Sequence, residues 1–268
     1  TNAISKTLIG YNAGTAITIG DYNVSLGYEA LKANTTASNN VAVGAAALLV
    51  NTTGTQNTAV GTNALDANTT GASNTGLGHN ALSATTTAGY NTAIGESALG
   101  ATTTGTQNSA VGCYALDANV TGNQNTAIGH DALTTSTASN NTAIGAFAAS
   151  LTTTGADNTA VGQAALYANT NGDHNTAVGI KSLYSNTSGS LNTAVGRNAM
   201  HVNTTGDYNT AVGNVALDAN TTGDQNCAFG NTALGANTTA DYNAAFGSNA
   251  LADNTTGTNN CAFGATAL

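Results

Sequence analysis

The sequence has no proline or tryptophan, one methionine and three cysteines, and only 6% of its 268 residues are charged. Each shortage excludes something. Four cations (Lys6, Lys32, Lys181, Arg197) against 13 acids cannot neutralise a run of phosphates, so nucleic acid is not an expected partner and anionic membrane surfaces are disfavoured. No apolar run approaches the ~20 residues of a membrane helix, and no signal-peptide pattern occurs, so membrane insertion is not expected. Cys113, Cys227 and Cys261 are odd in number and lack metal-ligand spacing, which argues against a disulfide framework or a zinc site. Disorder would require low hydrophobicity with high charge or much proline; 41% hydrophobic residues in a strict period argue against it.

What is present is one short unit, copied end to end. With Asn57-Thr58-Ala59-Val60-Gly61-Thr62-Asn63-Ala64-Leu65-Asp66-Ala67-Asn68-Thr69-Thr70-Gly71-Ala72-Ser73 as template, the motif glycine recurs from Gly10 through Gly61 and Gly129 to Gly264. The step is 17 residues except for a single 16 between Gly129 and Gly145. The missing residue lies between Leu133 and Ala138, on the arc that carries Asp66 to Thr70 elsewhere. Seventeen residues are too few for two packed helices, and Thr, Asn, Gly and β-branched residues are poor helix formers. The reading is all-β: a parallel β-solenoid of about 16 coils stacked in a rod, a single repeat domain over residues 1–268. Each template position then becomes a column of like residues ~4.8 Å apart. The absence of proline fits, because a parallel ladder uses every backbone N–H.

The columns carry further expectations. Asn57 and its equivalents, Asn23 to Asn260, suit a coil-to-coil amide ladder; asparagine as a simple turn former is the alternative. The Val60 column becomes Phe229, Phe246 and Phe263 in the last coils, where the Thr58 column becomes Cys227, Ala244 and Cys261. Bulk appears where the neighbour two residues back has shrunk, so both columns share a face, read here as the interior, with the cysteines as small buried fillers. Leu65 supplies the opposing wall. The near-invariant Ala59 column then faces away from the interior, packed against another copy, with Ala64 behaving likewise. The Thr62, Asn63 and Asp66 columns read as solvated surface.

With Asn-Thr-Ala-Val-Gly followed by Ala-Leu and Asn-Thr-Thr-Gly on the page, the chain resembles the head repeats of trimeric autotransporter adhesins of the YadA-like type, and related tail-fibre repeats of phages and bacterial surface proteins. The resemblance implies a left-handed parallel β-roll, usually trimeric, acting as a shaft or adhesive head. The repeat is longer than the typical adhesin-head unit, and neither a coiled-coil neck nor an anchor barrel follows.

No pocket is expected where every coil presents the same residue, so no catalytic, cofactor-binding or metal-ligating residue is assigned, no cofactor is expected, and the protein is read as a non-enzyme. His79, His130, His174 and His201 read as surface. Asn34, Asn51, Asn68, Asn119, Asn186, Asn203, Asn220, Asn237 and Asn254 stand in Asn-x-Ser/Thr sequences on the presumed exposed arc, open to glycosylation, although turn chemistry alone accounts for them. Tyr22, Gln56, Tyr90, Gln107, Tyr208 and Tyr242 form an aromatic-and-amide column of a kind that holds sugars. Asp207, Asp224 and Asp241 form an acidic stripe, with solvated carboxylates or a bridging cation as the two readings. The functional expectation is an extracellular structural fibre or adhesin shaft, at a cell surface or on a virion, self-associating as a homotrimer or filament, with surface glycans or a receptor as candidate partners. Head-to-tail polymerisation is the alternative, since neither end carries an atypical polar cap. Ice binding through a threonine array ranks third.

Overall fold

The computed structural model describes residues 5–268. The protein is a parallel β-solenoid: one three-residue strand per coil, sixteen in all, and no helix among the described residues. The coils group into two compact units, Thr1–Ser139 and Asn140–Leu268. The first runs from β1 (Thr7–Ile9) to β8 (Thr126–Ile128), the second from β9 (Thr142–Ile144) to β16 (Cys261–Phe263). Register repeats by one coil: Thr58 pairs with Thr75, Ala59 with Gly76 and Val60 with Leu77. The boundary follows the coil that lacks a residue. There Ser136 takes the Asn68 position and is buried, and the Ala138 carbonyl accepts from Asn125 Nδ2 at 2.8 Å. The deletion is absorbed on the arc, where the sequence placed it.

Turns make up the rest of each coil, and they need unusual backbone. Gln56, Asn63 and Leu65 have φ of 61°, 56° and 54°, and the same three columns repeat this along the chain. A non-glycine residue in this region costs roughly 1–2 kcal/mol. Main-chain bonds offset that cost on the same turns: Leu65 N–H donates to Ala81 O at 3.0 Å, Asn63 N–H to Ala45 O at 3.0 Å and Asn68 N–H to Leu65 O at 3.1 Å. At Gly61, φ is 137°, and an added Cβ would stand 2.6 Å from the Gly78 carbonyl carbon in the next coil. That contact excludes any side chain, so the column is glycine throughout.

The interior is the reverse of the volume reading. Ala59, Ala64 and Leu65 are wholly buried, whereas Val60 and Thr58 are only half-buried and face outward. Thr58 and Val60 do share a face, as expected of residues two apart, but it is the outer one. The reason is width. A Cβ on Gly76, in the Ala59 column, would lie 3.2 Å from Ala81 O and 3.4 Å from Leu65 Cδ1. The strand's inward residue rests on the Ala-Leu turn, and only a small side chain fits. Ser25 occupies the same column by donating its hydroxyl to Ala30 O at 2.7 Å. The Ala59 column is therefore small because it packs inside its own coil, not against another copy.

Two asparagine columns form the other half of the interior. Asn57 Nδ2 donates to Gly71 O at 2.8 Å, and its Oδ1 accepts the Asn74 backbone N–H at 3.0 Å. Asn68 Nδ2 donates to the same Gly71 carbonyl at 3.0 Å and to Asn51 Oδ1 at 2.9 Å. The Asn57 ladder exists, but it runs mainly from side chain to main chain. The Asn-x-Thr asparagines lie inside: Asn34, Asn51, Asn68, Asn119, Asn186, Asn203, Asn220 and Asn237 are buried and Asn254 half-buried. Their amides are committed to the coil and have no room for a glycan, which overturns the exposed-arc reading.

Candidate functional site

Three surfaces depart from a uniform polar exterior. The first is the outward face of the strands. Ile9 is 57% exposed and Ile128 41%, and Leu26, Leu77, Ile94, Val111 and Ile144 are exposed beside them. Phe229, Phe246 and Phe263 continue the column as a stack, with ring centroids 5.1 and 4.9 Å apart. The cysteines expected as buried fillers lie on this face too: Cys227 is half-buried and Cys261 exposed, and all three cysteines are free. Burial raises the Cys227 thiol above its ordinary range. No charged residue occupies the Thr58 or Val60 column.

The second surface is the turn face, formed by the Thr62, Asn63 and Asp66 columns. It is not uniformly solvated. Asp66 Oδ1 is buried without a hydrogen-bond partner, and burial raises the carboxyls of Asp66, Asp117 and Asp218. Between Asn63-type and Asp66-type positions run two hollows. One, of about 440 Å³, is lined by Thr15, Ala16, Glu29, Lys32, Ala33, Leu49 and Val50; in it Lys32 Nζ lies 2.7 Å from Glu29 Oε1, holding that carboxyl below its usual range. The other, of about 240 Å³, is lined by Phe147, Gln163, Ala164, Tyr167, Lys181 and Tyr184. Tyr167 stands in the Asp66 column, which the sequence suggests is solvated surface. The same column holds Tyr184 and His201 in the next two coils, and the three rings stack at 5.1 and 5.2 Å. Inspection of that column coil by coil would have found them.

The third is the Ala72 column. Asp224 Oδ1 accepts the Asp207 N–H at 2.7 Å and Asp241 Oδ1 accepts the Asp224 N–H at 2.8 Å. The acidic stripe therefore serves the main chain of the preceding coil, as Asn123 does for Thr106 at 2.8 Å.

Histidines are scattered over the surface. His130 Nδ1 stands 3.1 Å from Asp131 Oδ2, His79 Nδ1 3.9 Å from Glu96 Oε1, and Cys113 lies in the column between them, its thiol raised by burial and then by the charges of Glu96, Asp131 and Asp117. Among the described residues no three His, Cys, Asp or Glu side chains are grouped to hold a metal ion. Tyr22, Tyr90, Tyr208 and Tyr242 are exposed as expected, but they stand in separate coils without stacking on one another. The chain matches no protein-family model, and no curated protein gives a significant match to its sequence.

Proposed function

We propose that the protein is an extracellular structural fibre or adhesin shaft whose copies associate through the outward strand face. The observation that carries this reading is the apolar column that each unit presents, Ile9 to Ile128 in the first and Ile144 to Phe263 in the second, with no charged residue in it or in the Thr58 column beside it. A stripe of this kind marks an interaction surface more often than a solvated one. Eight strands at ~4.8 Å, each presenting about 10 Å of width, give a strip of roughly 380 Å² per unit. That is about half of the ~800 Å² per partner of a standard stable interface, so each unit's strip supplies part of a contact rather than the whole of one. Closed rotational symmetry would bury the face equally in each copy, and a trimer is what the resemblance to adhesin heads implies. The extracellular setting rests on that same resemblance.

Sedimentation velocity tests association, with electron microscopy to distinguish trimers from continuous filaments. Ile128→Glu is expected to remain folded and become monomeric. A wild-type protein that is monomeric at all concentrations would remove the proposal, and filaments that survive Ile128→Glu would favour end-to-end stacking. Ice binding gains one observation: Thr142, Thr159, Thr176, Thr193 and Thr210 face outward beside Ile144, Val161, Val178, Val195 and Val212, a regular array of hydroxyls and methyls. Thermal hysteresis in the monomeric fraction is its test.

A further inference from the structure

The hollow of about 240 Å³ in the second unit arises from a break in one column. The Asn63 position is Phe147 in one coil, Ala164 in the next and Lys181 in the third. Ala164 is almost wholly buried and forms a floor, while the larger side chains of the flanking coils, ~9.6 Å apart by strand spacing, form two walls. Tyr167 and Tyr184 close the third side, stacked on each other at an interplanar angle of 7°, so the faces they turn to one another are closed to a ligand. Gln163 stands exposed at the rim. Lys181 Nζ lies 5.5 Å from the Tyr184 ring centre, and among the described residues no carboxylate pairs with it.

We propose that this hollow binds one ring of an acidic polysaccharide, a sugar bearing a carboxylate. The volume is below the ~300–1,000 Å³ of pockets that enclose a whole small molecule, which suits a single ring within a chain running over the surface. An apolar floor and the Phe147 ring take the C–H face of a pyranose. Tyrosine hydroxyls and the Gln163 amide supply donors and acceptors for its hydroxyls. Lys181 selects the carboxylate: the protein carries net charge −9, so bulk electrostatics repel anions, and one unpaired ammonium in the hollow supplies the local attraction. The proposal is independent of self-association, which uses the strand face.

The repeat provides its own folding controls. The Asp66 column accepts Ser83, and the Asn63 column accepts Phe147, so Tyr184→Ser and Ala164→Phe place residues that the coil already tolerates. Saturation-transfer NMR and titration calorimetry on the full chain would compare a glucuronate-containing tetrasaccharide with a neutral glucose tetrasaccharide. The acidic sugar is expected to bind at least tenfold more tightly. Lys181→Gln should remove that preference, and the slot-filling Ala164→Phe should abolish binding of both with the circular dichroism spectrum unchanged. Absence of binding to the wild type, equal affinity for the two sugars, or binding that survives Ala164→Phe would each overturn the proposal.

Discussion

Replacing Asn91 by Asp changes one N–H₂ to an oxygen at a site where both ends of the amide are in use. Asn91 Nδ2 donates to Gly105 O at 2.8 Å, while Oδ1 accepts the Asn108 N–H at 2.9 Å and Asn108 Nδ2 at 3.2 Å, all in the buried interior. The carboxylate keeps the acceptor but turns an oxygen toward the Gly105 carbonyl. Losing a buried hydrogen bond and leaving its partner unpaired costs about 1–3 kcal/mol. Protonating the carboxyl instead restores a donor, at a cost near 4 kcal/mol at pH 7 for a group of ordinary pKa ~3.9. The destabilisation at pH 7 is therefore expected to fall between about 1 and 4 kcal/mol. The folded-state carboxyl titrates above its unfolded value, so the loss grows as pH rises from about 4, by up to ~1.4 kcal/mol per unit, and disappears below. Urea denaturation of Asn91→Asp and wild type, compared at pH 7 and pH 4, measures this. Exchange of the Asn108 amide proton reports the same site directly. A variant as stable as wild type at pH 7, or one that gains nothing on acidification, would refute the buried ladder.

Three further outcomes follow from the same geometry. Ala127→Glu places a carboxylate in the wholly buried strand centre and should abolish folding of the first unit, whereas Ile128→Glu, one residue on, should leave the circular dichroism spectrum intact; equal tolerance of both would return the strand orientation to doubt. Asp66→Ser removes a carboxyl raised by burial and installs the residue found at Ser83, so thermal denaturation should show a gain at pH 7 that shrinks as pH falls toward the ordinary carboxylate range and is gone below it. Expressed through a eukaryotic secretory pathway, the folded fraction should carry no glycan at Asn68, and intact mass unchanged by peptide N-glycosidase checks this.

Periodicity made the fold legible, because a 17-residue repeat of strand and turn residues without proline has few solutions other than stacked coils. The orientation of the strand was not legible from the Phe and Cys substitutions. Compensation between Phe229 and Cys227 shows only that two side chains touch, and side chains two apart touch on an outer face as readily as on an inner one. The compensation that does report the interior lies at the start of the chain. Leu8 takes the Ala59 position where Gly14 takes the Leu65 position, and a Cβ on Gly14 would meet Leu8 Cδ2 at 2.7 Å. Those two residues stand on opposite sides of the coil, so their exchange of bulk can be made only across its inside. The burial of Asn68 was obscured differently: Asn-x-Thr is also turn chemistry, and nothing local to the triplet tells that the amide turns inward to a glycine carbonyl shared with Asn57.

A solenoid separates stability from specificity by column. The columns that vary least, Asn57, Ala59, Gly61 and Ala64, are those whose atoms lie inside or against the next coil's backbone, and their near-invariance reports packing alone. Variation is concentrated in the outward columns, where a change in one coil costs its neighbours little. There the chain is uneven: Phe147, Tyr167, Lys181, Tyr184 and His201 crowd four consecutive coils, while the same positions elsewhere hold Ser83, Gly100 and Gly235. A shaft needing only length would have no reason to break its repeat there, because ring stacking between adjacent coils is already available at any column, as the Phe229 series shows. What the crowded coils have that the phenylalanine stack lacks is the missing rung at Ala164. The gap gives up packing between rungs that a third large side chain would have supplied, and it leaves a hollow with Phe147 on one side, Lys181 on the other and the stack of Tyr167 and Tyr184 along the third, the arrangement on which the proposed sugar site rests.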